Sequence, residues 1–351
     1  MSRTRRLLLG ALAALTAVAG VLHYTDAPAL PAFILSGIAL GGIAWVVSFA
    51  TEEVGERFGP AVTGVLQSTL GNLPEFFVVI FALSAGEVVV AQFSIIGSIF
   101  ANALLVLGIV IVVGAWVSED GIMRFSARLP MDTTTLLLLA VFIIVLVGLA
   151  GETHDRAAND VGTISAVAAV LLLGTYTVWV FGYLRSEGTG TSPPEQPHSG
   201  LPLPVSIGLL AAGGLGAAFV SDWFIAALRP TIDEVGLSPE FAGLVVVAIA
   251  GNAVEHGVGV VLAAKGEADL AISVDKNSVA QVAAFLWPAL VLVSLLFTNH
   301  LTFDIAILYV GALFLTTISV WQVTGDGEAT PFEGAALVAT YIVLALFTLY
   351  E

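Results

Sequence analysis

The chain has 351 residues, 58% of them hydrophobic and 11% charged, against about 25% charged in an ordinary soluble domain. A single hydrophobic core stops growing by roughly 250–300 residues, so the apolar surplus calls for lipid as its solvent. The lack of cysteine removes disulfides, thiolate metal sites and cysteine nucleophiles, and a net charge of −16 argues against a nucleic-acid partner, because phosphate binding needs basic residues.

A helix needs about 20 mostly apolar residues to cross the hydrocarbon. In chain order such runs fall at 7–23, 31–51, 60–83, 88–117, 132–150, 161–185, 202–226, 239–264, 268–297, 302–323 and 332–350. They predict an all-α membrane protein of about eleven transmembrane helices. Residues 1–30 hold a leading helix and outer loop, 31–185 one set of five spans, 186–201 a cytoplasmic linker rich in Pro, Gly, Ser and Thr, and 202–351 a second set of five. With the N-terminus inside, the inner segments carry Arg3, Arg5, Arg6, Arg57, Arg124, Arg128, Arg185 and Lys265, and the outer loops only Arg156 and Arg229. The positive-inside rule then places the N-terminus in the cytoplasm and the C-terminus outside, as expected of a multi-pass protein of the cell membrane. The first run also reads as a signal-like segment.

Sliding the chain against itself by 180 residues reveals a repeat. Gly71-Asn72-Leu73-Pro74-Glu75 falls on Gly251-Asn252-Ala253-Val254-Glu255, and the same offset matches Gly86-Glu87 with Gly266-Glu267 and Ser98 with Ser278. An odd number of spans separates the copies, so equivalent helices run in opposite directions. Inverted repeats of this kind are a transporter architecture, with the ion site near the midplane.

The repeated residues explain why. An ionisable side chain near the bilayer centre costs at least about 2.5–3.5 kcal/mol, and a lone buried glutamate can be protonated structural glue. A pair in equivalent positions argues for an ion site at Glu75 and Glu255. Gly-Asn is a poor helix interior, and Pro74 removes a further N–H in the first copy. Local unwinding there would free carbonyl oxygens at Gly71 and, by the repeat, Gly251. With the amides of Asn72 and Asn252, and with Ser98, Asn102, Ser278 and Gln281, these carboxylates make an all-oxygen cage suited to a hard cation such as Ca²⁺. Burial and mutual repulsion favour the protonated acid, so metal and protons compete for one site, and antiport needs nothing more.

At these residues the chain resembles the cation/proton exchanger (CAX) family of the calcium/cation antiporter superfamily. The two stretches that carry the resemblance are GNLPEFFVVIFALSAGEVVVAQFSIIGSIFANALLVLG at 71–108 and GNAVEHGVGVVLAAKGEADLAISVDKNSVAQVAAFLWP at 251–288. The resemblance implies Ca²⁺/H⁺ antiport with Glu75 and Glu255 as central ligands. Sodium/calcium exchangers usually carry G-T-S where this chain has Gly-Asn, which favours the proton-coupled branch. ATEEVGERFG at 50–59 looks like the helix in which family members place an acid along the ion path, which puts Glu52 and Glu53 forward; a solvated helix end is the plainer reading. Asp222 is a counterpart for the second repeat, and His256 recurs in the family beside the glutamate, as proton relay or as packing.

The chain departs from the pattern at Asp275-Lys276, where small or apolar residues are usual. Lys276 lies about 200° around a helix from Ser278 and is expected to point away from the ion, pairing with Asp275 or snorkelling. The loop GETHDRAAND at 151–160 reads as a solvated loop. A Na⁺(K⁺)/H⁺ or Na⁺/Ca²⁺ exchanger on the same fold is the nearest alternative; an intramembrane hydrolase or a passive channel fits less well. No cofactor is expected beyond the transported Ca²⁺ and H⁺, and the partners are these cations and membrane lipid.

Overall fold

The computed structural model describes residues 3–25, 27–55, 57, 66, 69–153, 155–187 and 201–351. Its helices are α1 (Arg3–His23), α2 (Ala29–Gly55), α3 (Leu73–Ser84), α4 (Val88–Phe100), α5 (Leu107–Val117), α6 (Arg128–Glu152) and α7 (Val161–Glu187). There follow α8 (Leu203–Val235), the short α9 (Pro239–Phe241), α10 (Ala248–Ala264), α11 (Ala268–Gln281), α12 (Trp287–Ser294), α13 (Ile307–Thr324) and α14 (Pro331–Leu349). Wide π turns at Ala101–Val106, Ala242–Val247 and Val282–Leu286 join α4 to α5, α9 to α10 and α11 to α12. Among the described residues, ten continuous helices are long and apolar enough to span a membrane. The chain is therefore an all-α, multi-pass membrane protein. The eleventh expected span, 60–83, is represented by α3, because most of 56–68 lies outside the described residues, as does the linker at 188–200.

The chain forms two compact units, each drawing on both sequence halves. The first comprises Met1–Ala85, Thr177–Leu237 and Ala250–Val254; the second comprises Gly86–Tyr176, Ser238–Ile249 and Glu255–Glu351. In the first unit α2 lies along α8, and small residues set the spacing. An atom added at Gly213 would stand 2.9 Å from Val47 Cγ2, and one at Gly37 3.2 Å from the Phe224 ring. Lipid tails are as apolar as leucine, so such close approach, rather than hydrophobic exclusion, drives helix association in a bilayer. Phe33 and Phe224 stack at 4.6 Å over the same seam.

In the second unit α5 crosses α14 where Gly108 and Gly334 meet. A Cβ on either would come within 2.6 Å of the other's carbonyl oxygen. α4 crosses the π turn Ala242–Val247 in the same way, at Gly97 and Gly243. The two-stranded ribbon of β1 (Met123–Arg124) and β2 (Glu328–Ala329) ties two loops together, with Arg124 Nε bonded to Glu328 at 3.2 Å.

The 180-residue repeat is visible in the backbone. Gly86 and Gly266 take the left-handed conformation at φ 83° and 78°. Each is followed by a glutamate with nearly the same dihedrals, −84°/60° at Glu87 and −86°/64° at Glu267. The π turns at Ala101–Val106 and Val282–Leu286 also occupy equivalent places. The described loop contacts respect the expected alternation of sides: Arg124 with Glu328, Ser126 N with Asp269 Oδ1, and Gln92 with the Asp304 carbonyl. Each pair joins segments assigned to one face.

Candidate cation site

The sequence-predicted residues divide between the two units. Gly71, Asn72, Glu75, Gly251 and Asn252 belong to the first; Ser98, Asn102, Glu255, Ser278 and Gln281 belong to the second.

In the first unit the chain turns at Gly71-Asn72 and starts α3 there, with Phe76 N bonded to the Asn72 carbonyl at 2.9 Å. Pro74 sits in the opening turn, where its missing N–H has no helical partner to lose. Glu75 follows in the same turn, only 3% exposed. The partial positive charge of a helix N-terminus favours an acid at that place. The expected break in the first copy is thus present. Asn72 and Asn252 are buried, at 2% and 3% exposure. Gly251 faces Glu75: a Cβ on it would lie 3.9 Å from Glu75 Cβ. On the other side of the same segment, Gly41 of α2 approaches the Ala250 carbonyl and Ala253.

Ser221 of α8 occupies the position equivalent to Gly41, and its hydroxyl lies 3.4 Å from the Pro74 carbonyl as donor. Each long helix of this unit therefore touches the Gly-Asn stretch of the opposite copy. Ser221 escaped the sequence reading; applying the 180-residue offset to Gly41 would have found it.

The second copy is not broken at Gly251-Asn252, contrary to expectation. α10 runs through both residues without interruption. The reason is Val254, which stands where the first copy has Pro74 and keeps its N–H. One glycine costs a helix only about 1 kcal/mol, which packing against Gly41 and Glu75 offsets. The irregularity falls earlier, in the π turn Ala242–Val247.

In the second unit Glu255, half-buried on α10, accepts a hydrogen bond from Ser278 Oγ at 2.5 Å, and Ser278 accepts one from Asn102 Nδ2 at 3.0 Å. Asn102 lies inside one π turn, and Gln281, 7% exposed, immediately precedes another. π turns widen a helix by one residue and are frequent at functional sites. Asn102 of the first copy, inside such a turn, reaches Ser278 of the second, which lies in the regular helix α11. Ser98, fully buried, donates to the Ser94 carbonyl at 3.0 Å.

Among the described residues no three His, Asp or Glu side chains gather as metal ligands. In the second unit the neutral donors beside Glu255 are the Ser278 hydroxyl and, behind it, the Asn102 amide. Hard cations accept such donors.

The outlying candidates fall as follows. Glu52 is exposed at the end of α2. The Glu53 carboxylate lies 3.6 Å from Arg5 and accepts from Leu201 N at 2.8 Å, while Arg57 donates to the Leu201 carbonyl. Asp222 is half-buried beside Ser221, and His256 is half-buried with no hydrogen bond to Nε2 among the described residues. In the 151–160 loop, Asp155 caps a short helical turn through Ala157 N at 2.9 Å. Lys276 neither snorkels nor hydrogen-bonds Asp275. It is 1% exposed, and its Nζ donates to Thr134 Oγ1 of α6 at 2.7 Å. A buried hydroxyl within reach satisfies the ammonium where the chain could not carry it to water.

The family model described as sodium/calcium exchanger protein matches residues 28–184 and 205–350. The vacuolar calcium ion transporter of Schizosaccharomyces pombe is 30% identical over 329 residues, covering 91% of this chain and 79% of its own. The Ca²⁺/H⁺ antiporter ChaA of Bacillus subtilis is 27% identical over 354 residues, covering 99% of each. The solved structure of native YfkE shares the fold, with a TM-score of 0.81 at 23% identity over 98% of this chain and 99% of that one. The chain belongs to the sodium/calcium exchanger protein family, as a transporter of the cation/proton exchanger kind rather than an enzyme.

Proposed function

We propose that the chain exchanges Ca²⁺ for protons by alternating access, with the two cations competing for Glu75 and Glu255. The observation that carries this reading is one glutamate at the same place in each repeat, four residues after a glycine and three after an asparagine. The names of the relatives, a calcium ion transporter and a Ca²⁺/H⁺ antiporter, favour the same ion pair.

In this reading the carboxylates supply the charge. The amides of Asn72, Asn252, Asn102 and Gln281, the hydroxyls of Ser98 and Ser278, and the carbonyls of Gly71 and Gly251 complete the 6–8 oxygens that Ca²⁺ takes. A cage emptied of Ca²⁺ would leave repelling buried charges, and protons remove that penalty. Each cation therefore releases the other, and a gradient of one drives the other. The distribution of basic residues supports a cytoplasmic N-terminus and an outer C-terminus in the cell membrane.

The test is uptake of labelled Ca²⁺ into vesicles holding the full-length chain under an imposed pH gradient. Uptake should follow the proton gradient and resist excess Na⁺ and K⁺. Ca²⁺ movement that needs a Na⁺ gradient, or no movement at all, would refute the reading.

A further inference from the structure

Asp275 and Lys276 are ionisable, adjacent and almost wholly buried, at 2% and 1% exposure. The contacts on either side fix where Asp275 stands. One turn before it, the Ala271 carbonyl lies 4.0 Å from where a Cβ of Gly259 on α10 would be. Three residues after it, Ser278 bonds Glu255 on the same helix at 2.5 Å. Residues 271, 275 and 278 form one stripe of a helix, so Asp275 lies in the seam between α10 and α11, about 4.5 Å of helix rise from Ser278.

Neither Asp275 oxygen accepts a hydrogen bond among the described residues. The charges that act on it are Lys276 and Glu255. Lys276 leaves the stripe by about 100° and is held by Thr134 on α6. α5 and the two adjoining π turns carry no charged residue, and the described acids of α6, Asp132 and Glu152, are exposed.

A bare carboxylate in this seam would double the negative charge beside Glu255. Isolated buried charge is expensive, and a fixed opposite charge close by is what makes it tolerable. We propose that Lys276 is a resident cation, tethered by Thr134, whose charge cancels that of Asp275 and so sets how strongly the Glu255 half of the site attracts a divalent ion. Asp275 and Lys276 act here as positioning and specificity residues, not as ligands. The inference rests on the exchanger reading above.

The experiment measures initial Ca²⁺ uptake against Ca²⁺ concentration at fixed pH on both sides, with full-length protein in vesicles. The parent is compared with Lys276→Met, Asp275→Asn and the double variant. Lys276→Met leaves Asp275 uncompensated and lowers the apparent KM for Ca²⁺ at least about fourfold, the effect of a unit charge about 10 Å from a divalent ion at the dielectric constant of water and a lower bound inside the protein. Asp275→Asn leaves the ammonium uncompensated and raises KM by a similar factor. The double variant returns KM to within about twofold of the parent. A purely structural role lowers the maximal rate and thermal stability of all three without opposite shifts in KM.

Single variants that move KM in the same direction, or a double variant that fails to restore it, would overturn the proposal. If Lys276→Met does not fold, Asp275→Asn alone decides, since an unchanged or lowered KM contradicts the cancellation. Failure of the exchanger reading shows in the parent; failure of this one shows only in the variants.

Discussion

The crossing of α4 with the π turn Ala242–Val247 gives the sharpest packing prediction. A Cβ on Gly97 would stand 2.2 Å from the Leu244 carbonyl oxygen, 2.5 Å from its Cα and 2.7 Å from its carbonyl carbon. The obstruction is backbone, so no side chain can rotate away. On the reverse side a Cβ on Gly243 would meet Phe93 Cβ at 2.8 Å and the Val90 carbonyl at 2.9 Å. Gly97→Ala therefore forces the two segments apart by about 1.2 Å to reach an ordinary contact, and overpacking of this kind costs about 1–3 kcal/mol or somewhat more. Replacing a helical glycine by alanine returns up to about 1 kcal/mol, which does not close the gap. The thermal midpoint of purified protein in detergent should fall by roughly 2–8 °C, and transport should fall with it, because Ser98 and Asn102 ride on the displaced segment. Gly311→Ala on α13, where nothing lies within 4 Å of the new atom, is the control and should hold or raise the midpoint. A Gly97→Ala protein as stable as its parent would show that the two backbones do not meet as described.

Replacing Glu75 or Glu255 by Gln keeps shape and removes a charge, so either change should abolish proton-driven Ca²⁺ uptake while leaving folded protein in the membrane. Near-normal uptake by either variant would remove that residue from the site. Asp304 lies in the loop before α13, where burial pushes its carboxyl above the ordinary carboxylate range. Its stabilising contribution is then full at low pH and lost as pH rises through the raised value. Asp304→Asn should flatten the dependence of the thermal midpoint on pH in the acid range, and a slope identical to the parent's would contradict this.

Much of the architecture is legible because lipid imposes it. Long apolar runs must be helices, and loops must gather the charge. The repeat is legible because it needs no physics at all, only the match of Gly71-Asn72 and Glu75 with Gly251-Asn252 and Glu255. What the sequence hides are features decided by a neighbour. Nothing in ANALLV or VAAFL announces a π turn rather than an α turn. Asn102 meets Ser278 from inside such a turn, and no local preference records that. The continuity of α10 through Gly251-Asn252 has the same origin, since a weak helix former survives where Gly41 and Glu75 pack against it. For Lys276 the helical wheel gives the direction and misses the partner. Thr134 is the middle of three consecutive threonines, and only the packing of α6 on α11 selects it.

The two copies hold their glutamates by different means, and this bears on how exchange can proceed. Glu75 sits at the start of a helix, after a turn and a proline, where the backbone supplies the favourable field. Glu255 sits inside a continuous helix, where the backbone offers nothing and a side chain must; the Ser278 hydroxyl does so, oriented by Asn102. The sequence symmetry at the acids is thus broken in what surrounds them. The first carboxylate lies in the field of a helix start and the second is held by a hydroxyl. Ser278 can donate to Glu255, accept from Asn102 and still turn its remaining lone pair to a cation, because a hydroxyl carries one proton and two lone pairs.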